Sequence, residues 1–393
     1  MSCRLCREDA VVELIDFGRQ PIVHHLLKTK SERYDKYLFR LGFCEMCGFL
    51  QLIECISPEI LYKNYFTISG WKNQPHVPRL IEVLQGVSGV DFDHSILDIG
   101  CNDGSFLIAL ENAGYVNLHG IEPTMDSFNI ASNKGLSVYN GFFGEDVAKN
   151  TYGKDRFDIV ITRHVLEHIV DLADFLKGIS LIIRDSGILI IEVPDSEWNL
   201  DYLDYALWEE HVNYFTINTL RMLLETYGFS IVHYETTLFS GKALTVYCEK
   251  RQKTIKNVQY ENYDLKKIHK YGKSWQPFKE NLHNFLETRN RPIVMYGCGA
   301  RSSNFINFTE IHNMVDFFID DQDEKQNLYV PGCNLKITPW HEAYSEKYTM
   351  LLGVNTENEY KVIEKRKLHM SNVFSTTPPS TNLPMFWKNI IYD

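Results

Sequence analysis

Two pairs of cysteines near the start of the chain have the spacing of metal ligands. Cys3 and Cys6 form one C-x2-C pair, and Cys44 and Cys47 form a second. Each thiolate pair can occupy one edge of a tetrahedral Zn²⁺ shell, so two pairs close the shell and leave no position for water or substrate. The spacing therefore predicts a structural zinc site. The alternative is four unrelated thiols.

A second group of candidate residues combines acids and histidines with apolar neighbours. Glu210 and His211 are adjacent and stand between apolar residues, ahead of a predicted helix. The segment Arg163–His168 follows directly on a predicted strand. A histidine takes up a proton near neutral pH, and a neighbouring carboxylate can orient its ring or raise its basicity. The Glu-His pair is therefore a candidate for proton abstraction, with a structural hydrogen-bonded pair as the alternative.

A turn between a strand and a helix forms the third candidate site. The apolar run Ile96–Ile99 contains Asp98 and leads into Gly100, Asn102 and Gly104, and an apolar helical pattern follows. Glycine lets the backbone approach a ligand closely, and a helix N-terminus offers free N–H groups. The turn lacks the third glycine of the dinucleotide motif. It resembles the first motif of class I S-adenosylmethionine (AdoMet) methyltransferases, which implies that these residues bind AdoMet.

Four further residues are predicted to bind the cofactor because they end neighbouring strands. Glu122 ends the next predicted strand, where an acid roughly 20 residues after the glycine turn commonly accepts the ribose hydroxyls. Phe142 or Phe143 follows the third strand and would stack on the adenine, unless it belongs to the core. Arg163 ends the fourth strand, at the edge where open α/β sheets bind their ligands.

Three folded units are expected to position these residues, because 393 residues exceed one ordinary core. Residues 1–85 are predicted to form a zinc-binding domain that ends in an aromatic segment, which is either a lid over the cofactor turn or core filler. Residues 86–250 alternate strands and helices and predict a Rossmann-like α/β core of the class I methyltransferase type that binds AdoMet. Residues 251–393 contain a Gly297-x-Gly299 turn and predict a Rossmann-like α/β domain that binds the nucleotide part of a substrate.

The composition excludes several classes of protein. A formal net charge of −11 argues against a nucleic-acid-binding protein. No apolar run reaches about 18 residues, so no membrane-spanning helix is expected. Met1–Arg4 lacks the apolar region of a signal peptide, and nine cysteines would then stay reduced. We expect a cytoplasmic enzyme that acts on a small molecule, without a nucleic-acid or membrane partner.

The order of these parts is similar to a known family over nearly the whole chain. The two cysteine pairs, the Asp-x-Gly-x-Asn-x-Gly turn, the strand-four histidine, the Glu-His pair and a C-terminal Tyr-Gly turn occur together. This order resembles the zinc-containing, AdoMet-dependent C-methyltransferases that act on dTDP-linked 4-keto deoxysugars. The resemblance implies that a base removes the proton next to the 4-keto group and that the enolate attacks the AdoMet methyl group. It also implies that His211 is the base with Glu210, that His168 is a further active-site histidine, and that Tyr65 is a candidate catalytic residue.

The chain departs from the family pattern where the substrate would lie. Trp208 stands where the family usually has a tyrosine, and its indole is a hydrogen-bond donor only. Only Gly241 remains where the family tends to have paired glycines before its last strand. O- or N-methylation of another sugar or small metabolite with the same base is therefore the alternative function. A binding module without catalysis is a third hypothesis, and the intact turn and Glu-His pair argue against it.

Overall fold

The computed structural model describes residues 1–61, 74–86, 90–251 and 265–392 and arranges their strands in three sheets. Tyr65 and the rest of the predicted lid after Leu61 lie outside the described residues, so that prediction stays open. None of the helices that the structure describes has the length and apolar character needed to cross a membrane.

The first sheet has four antiparallel strands and carries both cysteine pairs beside it. The strand Leu50–Leu52 pairs with Tyr37–Cys44 on one side. On its other side it pairs with Asn213–Tyr214, a short strand from the middle of the chain that forms the edge of the sheet. The N-terminal part therefore completes its sheet with the segment that follows Glu210 and His211. Its elements are β1 (Val11–Gln20), β2 (Tyr37–Cys44), β3 (Leu50–Leu52), α1 (Pro58–Leu61) and α2 (Val77–Gly86).

The second sheet is the Rossmann-like core that the sequence predicts. The elements of this part of the chain are β4 (Ser95–Ile99), α3 (Ser105–Asn112), β5 (Asn117–Glu122), α4 (Met125–Asn133), β6 (Val138–Asn140), α5 (Glu145–Val147), β7 (Phe157–Arg163), α6 (Leu172–Ile182), β8 (Ile183–Pro194), α7 (Ser196–Tyr202), β9 (Asn213–Tyr214), α8 (Ile217–Thr226), β10 (Phe229–Leu238) and β11 (Lys242–Lys250). Of these, β9 belongs to the first sheet. The strand order is β10-β11-β8-β7-β4-β5-β6, and β11 runs antiparallel to both neighbours. The chain reverses its winding direction between β4 and β7, and the carboxyl ends of such strands form a ligand crevice.

The third sheet has five parallel strands in the order β14-β13-β12-β15-β16. Buried apolar runs on both faces, such as Ile293–Tyr296, account for a parallel sheet covered by helices. This confirms the predicted C-terminal Rossmann-like unit. Its elements are α9 (Leu265–Glu287), β12 (Ile293–Tyr296), α10 (Ala300–Thr309), β13 (Val315–Ile319), β14 (Ile337–Thr338), α11 (Tyr344–Lys347), β15 (Thr349–Leu352), α12 (Thr356–Arg366), β16 (Val373–Ser375) and α13 (Met385–Tyr392).

One aromatic core joins the first and third sheets to the segment after β8. The rings of Phe17 in β1 and Phe308 in α10 lie 4.4 Å apart, and Tyr205 lies 4.8 Å from Trp275 in α9. These side chains belong to a single buried cluster, so their burial holds the three parts of the chain together. The predicted domain boundaries after residues 85 and 250 stay predictions. The pairing of β3 with β9 joins segments on either side of the boundary at residue 85.

Candidate functional site

The four predicted zinc ligands lie together at the edge of the first sheet. All four Sγ atoms lie within 4.8 Å of one another. The Sγ atoms of Cys3 and Cys47 are 3.7 Å apart, and those of Cys6 and Cys44 are 3.6 Å apart. Four sulfurs at about 2.3 Å from one ion in a tetrahedral shell would lie about 3.8 Å apart. The donor set and its spacing therefore fit a closed zinc site.

An arginine inside the first cysteine pair connects this cluster to the Glu-His segment. The guanidinium of Arg4 donates to the carbonyl oxygens of Val212 at 3.0 Å and Leu52 at 2.8 Å. The N–H of Leu52 donates to the carbonyl oxygen of Val212 at 3.0 Å. Because Val212 directly follows His211, the zinc-bearing sheet helps to set the position of the predicted base.

The predicted cofactor turn follows β4 and packs tightly against the segment that follows β7. Gly100 has φ +79°, and a Cβ there would lie 2.4 Å from the Cγ2 of Val165. Only glycine permits this approach together with this backbone conformation. The turn consequently lies directly against the strand-four segment that carries His168.

Two buried carboxyl groups lie at the turn. Burial raises the pKa of Asp98 to about 6, although the charge of Arg163 opposes the shift. The carboxylate of Glu122 accepts the N–H of Asn102 at 3.0 Å and the N–H and hydroxyl of Thr124. The structure thus brings Glu122 next to the turn, and its role toward ribose stays a prediction.

The other predicted cofactor residues differ in their surroundings. The ring of Phe143 packs edge-on against Phe175 at 5.4 Å in the core, whereas Phe142 is 59% exposed. Of the two phenylalanines, Phe142 is therefore the one available to a ligand. The guanidinium of Arg163 lies 4.0 Å from the centroid of Phe106 and donates to Gln74 at 2.8 Å. These contacts hold Arg163 at the end of β7.

The structure brings His168 and His211 together. Their rings meet edge-to-face with centroids 4.9 Å apart, and the ring of Trp208 lies 4.9 Å from that of His211. One ligand-type atom from each of Glu167, His168 and His211 lies within 4.8 Å of the others. The N–H of Val212 donates to the carbonyl oxygen of Glu167 at 2.8 Å, which ties the two segments together. Burial lowers the pKa of both imidazoles, so both are neutral near pH 7.

Glu210 does not orient its neighbour in the way that the sequence suggested. Among the described residues, its carboxyl group contacts His24 Nδ1 at 3.1 Å and approaches His168 Nδ1 at 3.8 Å, and no contact joins it to the His211 ring. Glu209 and Glu210 form a turn that the N–H of His211 closes by donating to the carbonyl oxygen of Trp208 at 3.1 Å, and in this turn the two neighbouring side chains do not meet. The expectation that Glu210 orients His211 directly is therefore corrected: Glu210 faces His168 and the N-terminal His24.

The contact between His24 and Glu210 has a defined proton arrangement. His24 Nε2 lies 3.0 Å from the carbonyl oxygen of Leu61, which only accepts, so Nε2 carries the proton. Burial lowers the pKa of His24 to about 4, and Nδ1 is then an acceptor. Burial also raises the pKa of Glu210 well above its usual range, and the charge of Glu209 adds to this. The Glu210 carboxyl group therefore lies 3.1 Å from an acceptor nitrogen, and burial favours its protonated form.

A buried ion-pair network under the site was missed by sequence reasoning. His164 lies 2.8 Å from Glu192 and 3.3 Å from Glu167, and His76 also contacts Glu192 at 3.1 Å. Burial alone would lower the pKa of His164, but the two carboxylates overcome it and raise the pKa to about 9. His164 stands between the predicted Arg163 and His168, and its φ of +53° has no signature in the sequence.

The C-terminal unit reaches the site through α10. Asn304 donates to Glu209 at 2.8 Å and to the carbonyl oxygen of Leu207 at 3.0 Å, and Arg301 forms an ion pair with the buried Asp204. Sequence spacing contains no signal for these contacts, because α10 and the segment before His211 are far apart in the chain. At the preceding glycine turn, Asp320 accepts the N–H of Cys298 at 2.7 Å and Ser302 accepts that of Gly299 at 3.0 Å. Two donors expected for a phosphate are thus already bonded within the protein.

Comparison with known proteins identifies all three parts of the chain. Residues 3–62 match a zinc binding domain model, residues 67–234 a methyltransferase domain model, and residues 255–372 a C-methyltransferase C-terminal domain model. The C-methyltransferase NovU of Streptomyces niveus is 25% identical over 94% of this chain and 93% of its own length. The chain is an S-adenosylmethionine-dependent methyltransferase. The predicted cofactors of this methyltransferase, AdoMet and zinc, are confirmed, as is the resemblance to zinc-containing C-methyltransferases.

Other relatives match only part of the methyltransferase. A ubiquinone biosynthesis O-methyltransferase of Bradyrhizobium diazoefficiens is 30% identical over 26% of this chain and 41% of its own length. A solved structure of a SAM-dependent methyltransferase from Methanosarcina mazei is 18% identical with a TM-score of 0.36, and the match covers 46% of this chain and 99% of that one.

Proposed function

We propose that this methyltransferase methylates the carbon next to a ketone in a nucleotide-linked sugar, with His211 as the base. The observation that carries the proposal is the half-buried, neutral His211 ring in contact with His168, which follows β7 of the cofactor-binding sheet, and with Trp208. Similarity to a C-methyltransferase along nearly the full chain supports the choice of carbon as the acceptor.

The cofactor residues would be those around the glycine turn. Gly100, Asn102 and Gly104 would approach AdoMet with their backbone, Glu122 would accept ribose hydroxyls, and Phe142 would stack on the adenine. When bound, AdoMet would supply a methyl group carried on a sulfonium sulfur, and the cofactor product of the transfer is a neutral thioether. The nucleotide would be held by the C-terminal unit, whose helix α10 already contacts the segment before His211.

The chemical step would begin at His211. Its neutral imidazole takes the proton from the carbon next to the ketone, and the ketone oxygen receives the electron pair. His168 lies beside this ring and Glu210 faces His168, so both would steady the position of the base. Tyr65 stays a candidate for a second proton-transfer group.

The test uses dTDP-4-keto-6-deoxyglucose in deuterated water, with and without AdoMet. We expect the wild-type enzyme to exchange protons next to the ketone, seen by NMR, and to transfer a methyl group to carbon, seen by mass spectrometry. His211→Gln should slow both reactions by at least about 1000-fold, because general-base catalysis contributes up to about 10⁴-fold. His233→Gln, a change at an exposed histidine of β10, is the matched control and should have no effect.

Binding measurements separate the cofactor residues from the base. His211→Gln should bind S-adenosylhomocysteine as the wild-type enzyme does, whereas Glu122→Ala should bind it at least about tenfold more weakly because a charge-assisted hydrogen bond is lost. Methylation of a hydroxyl or amine without any proton exchange would contradict C-methylation and favour the O- or N-methyltransferase alternative.

A further inference from the structure

Two hydrogen-bond donors next to the predicted base have no acceptor. In the part of the chain that the structure describes, the indole Nε1 of Trp208 and the Nη1 of Arg301 are fully buried and make no hydrogen bond. Leaving a buried donor unpaired costs roughly 1–3 kcal/mol, so such groups are rare unless a ligand meets them. The pair therefore indicates a place where a bound acceptor belongs.

Both donors belong to the surroundings of His211. The Trp208 ring lies 4.9 Å from the His211 ring, and the N–H of His211 donates to the carbonyl oxygen of Trp208 at 3.1 Å. Arg301 reaches the same region from α10, where it pairs with Asp204 and where Asn304, one turn further on, donates to the carbonyl oxygen of Leu207 at 3.0 Å, next to Trp208. The two donors thus come from different parts of the fold to the base.

The guanidinium of Arg301 is held so that one nitrogen stays available. Its Nη2 pairs with Asp204, which is itself buried and also accepts the N–H of Ala206 at 3.0 Å. A Cβ at Gly241 would lie 3.4 Å from Nη1, and Gly241 has φ +103°. Gly241 thus lies at contact distance from the guanidinium, and its positive φ is what favours glycine at this position.

We propose that Trp208 Nε1–H and Arg301 Nη1–H form an oxyanion site that binds the ketone oxygen of the substrate while the enolate forms beside His211. This inference rests on the proposed function. It also accounts for Trp208 in place of tyrosine, because a donor that cannot ionise is suited to stabilising negative charge on oxygen.

The electrons and protons of the step balance with these groups. His211 takes the proton, the C–H electron pair forms the C=C bond, and the carbonyl π pair moves to the oxygen that the two donors face. When the carbon bonds to the methyl group, the oxygen pair restores the C=O bond and the sulfur leaves as a neutral thioether. Hydrogen-bond donors that already point toward the oxygen where negative charge develops typically make the largest single contribution to the rate acceleration.

The experiment measures proton exchange from dTDP-4-keto-6-deoxyglucose in deuterated water with S-adenosylhomocysteine present, so no methyl transfer occurs. Trp208→Phe removes the N–H and keeps an aromatic ring. Arg301→Gln removes the positive charge. Arg301→Lys restores the charge without the two separate Nη donors of the guanidinium. We expect about 100-fold slower exchange in Trp208→Phe and Arg301→Gln, with partial recovery in Arg301→Lys and unchanged affinity for the sugar nucleotide.

Zinc content and binding of S-adenosylhomocysteine show whether each variant is folded. If either Trp208→Phe or Arg301→Gln does not fold, the exchange rate of the other variant tests the proposal. Arg79→Gln, a change at an exposed arginine of α2 that pairs with Glu82 at 2.9 Å, is the control for the loss of an ion pair, and its exchange rate should match the wild type. If the wild type exchanges and His211→Gln does not, yet Trp208→Phe and Arg301→Gln match the wild type, the oxyanion site is wrong and the proposed function stands. If the wild type exchanges no proton, the enolate does not form and both proposals fall.

Discussion

The zinc cluster and the site around His211 are built in opposite ways. The cluster takes its four ligands from two short pairs, each with both cysteines within four residues of chain. The site around His211 takes His24 from the first sheet, His168 from the loop after β7, Trp208 from the segment after α7 and Arg301 from α10. The first arrangement is local, whereas the second exists only when all three parts of the chain are packed together.

The difference also concerns charge. Around His211, burial lowers the pKa of His24, His168 and His211 and raises that of Glu210, so each of these groups is shifted toward its neutral form. Such groups hold or move protons without a change in net charge at neutral pH. The zinc cluster instead requires thiolates, whose charge the metal neutralises. The zinc cluster is therefore suited to holding structure, and the site around His211 is suited to proton transfer.

Removing a zinc ligand should have the largest effect of the three changes, because the zinc cluster helps to hold the site around His211 in place. Cys47→Ser should lose zinc and unfold the first sheet, since metal binding is coupled to folding in such domains. Arg4 and Leu52 would then no longer hold Val212, and methyl transfer should fall to background. Zinc content by mass spectrometry and circular dichroism check this. Cys333→Ser, a change at a cysteine of the C-terminal unit whose Sγ lies 3.8 Å from the carbonyl oxygen of Val330, should keep both zinc and activity.

A smaller effect is expected from a single contact between the two regions. His24→Asn removes the acceptor for the Glu210 proton but leaves the cysteines in place. An unpaired buried group costs about 1–3 kcal/mol, so the exchange rate should fall about tenfold or more while zinc content stays the same. The neighbouring His25→Asn is the matched control. Equal rates in His24→Asn and the wild type would mean that the first sheet supports the site only through its backbone.

The smallest effect should appear in stability rather than activity. The folded-state pKa of His164, about 9, lies above the unfolded value near 6.5, so its stabilisation is complete below about pH 6.5 and is lost as the pH rises through 9. The loss should be on the order of 3 kcal/mol. Urea unfolding between pH 6 and 10 measures it. In His164→Asn, which suits a positive φ, the decline should disappear; an identical decline would assign it to other groups.

The sequence by itself determined the parts that depend on short spacing. The cysteine pairs, the glycine turn and an acid at the end of β5 follow from local rules of ligand geometry and backbone conformation, and the structure places each where those rules require. The Rossmann-like core was predictable for the same reason, because each strand and helix has its own apolar period. The Glu210-His211 pair and the segment that ends at His168 were candidates from residue types alone, the family resemblance assigned their roles, and the structure brings the two histidine rings together.

Only the tertiary structure decided which groups face one another. The sequence paired Glu210 with the adjacent His211, whereas the fold pairs it with His24 and His168. It gave no sign that Arg301 pairs with Asp204 in the segment before His211, because that contact depends on how the shared aromatic core packs α10 against this segment. Adjacency along a chain does not determine the direction of side chains, and packing between distant segments has no local code. The chemistry around His211 therefore follows from burial and packing, while the zinc cluster follows from spacing alone.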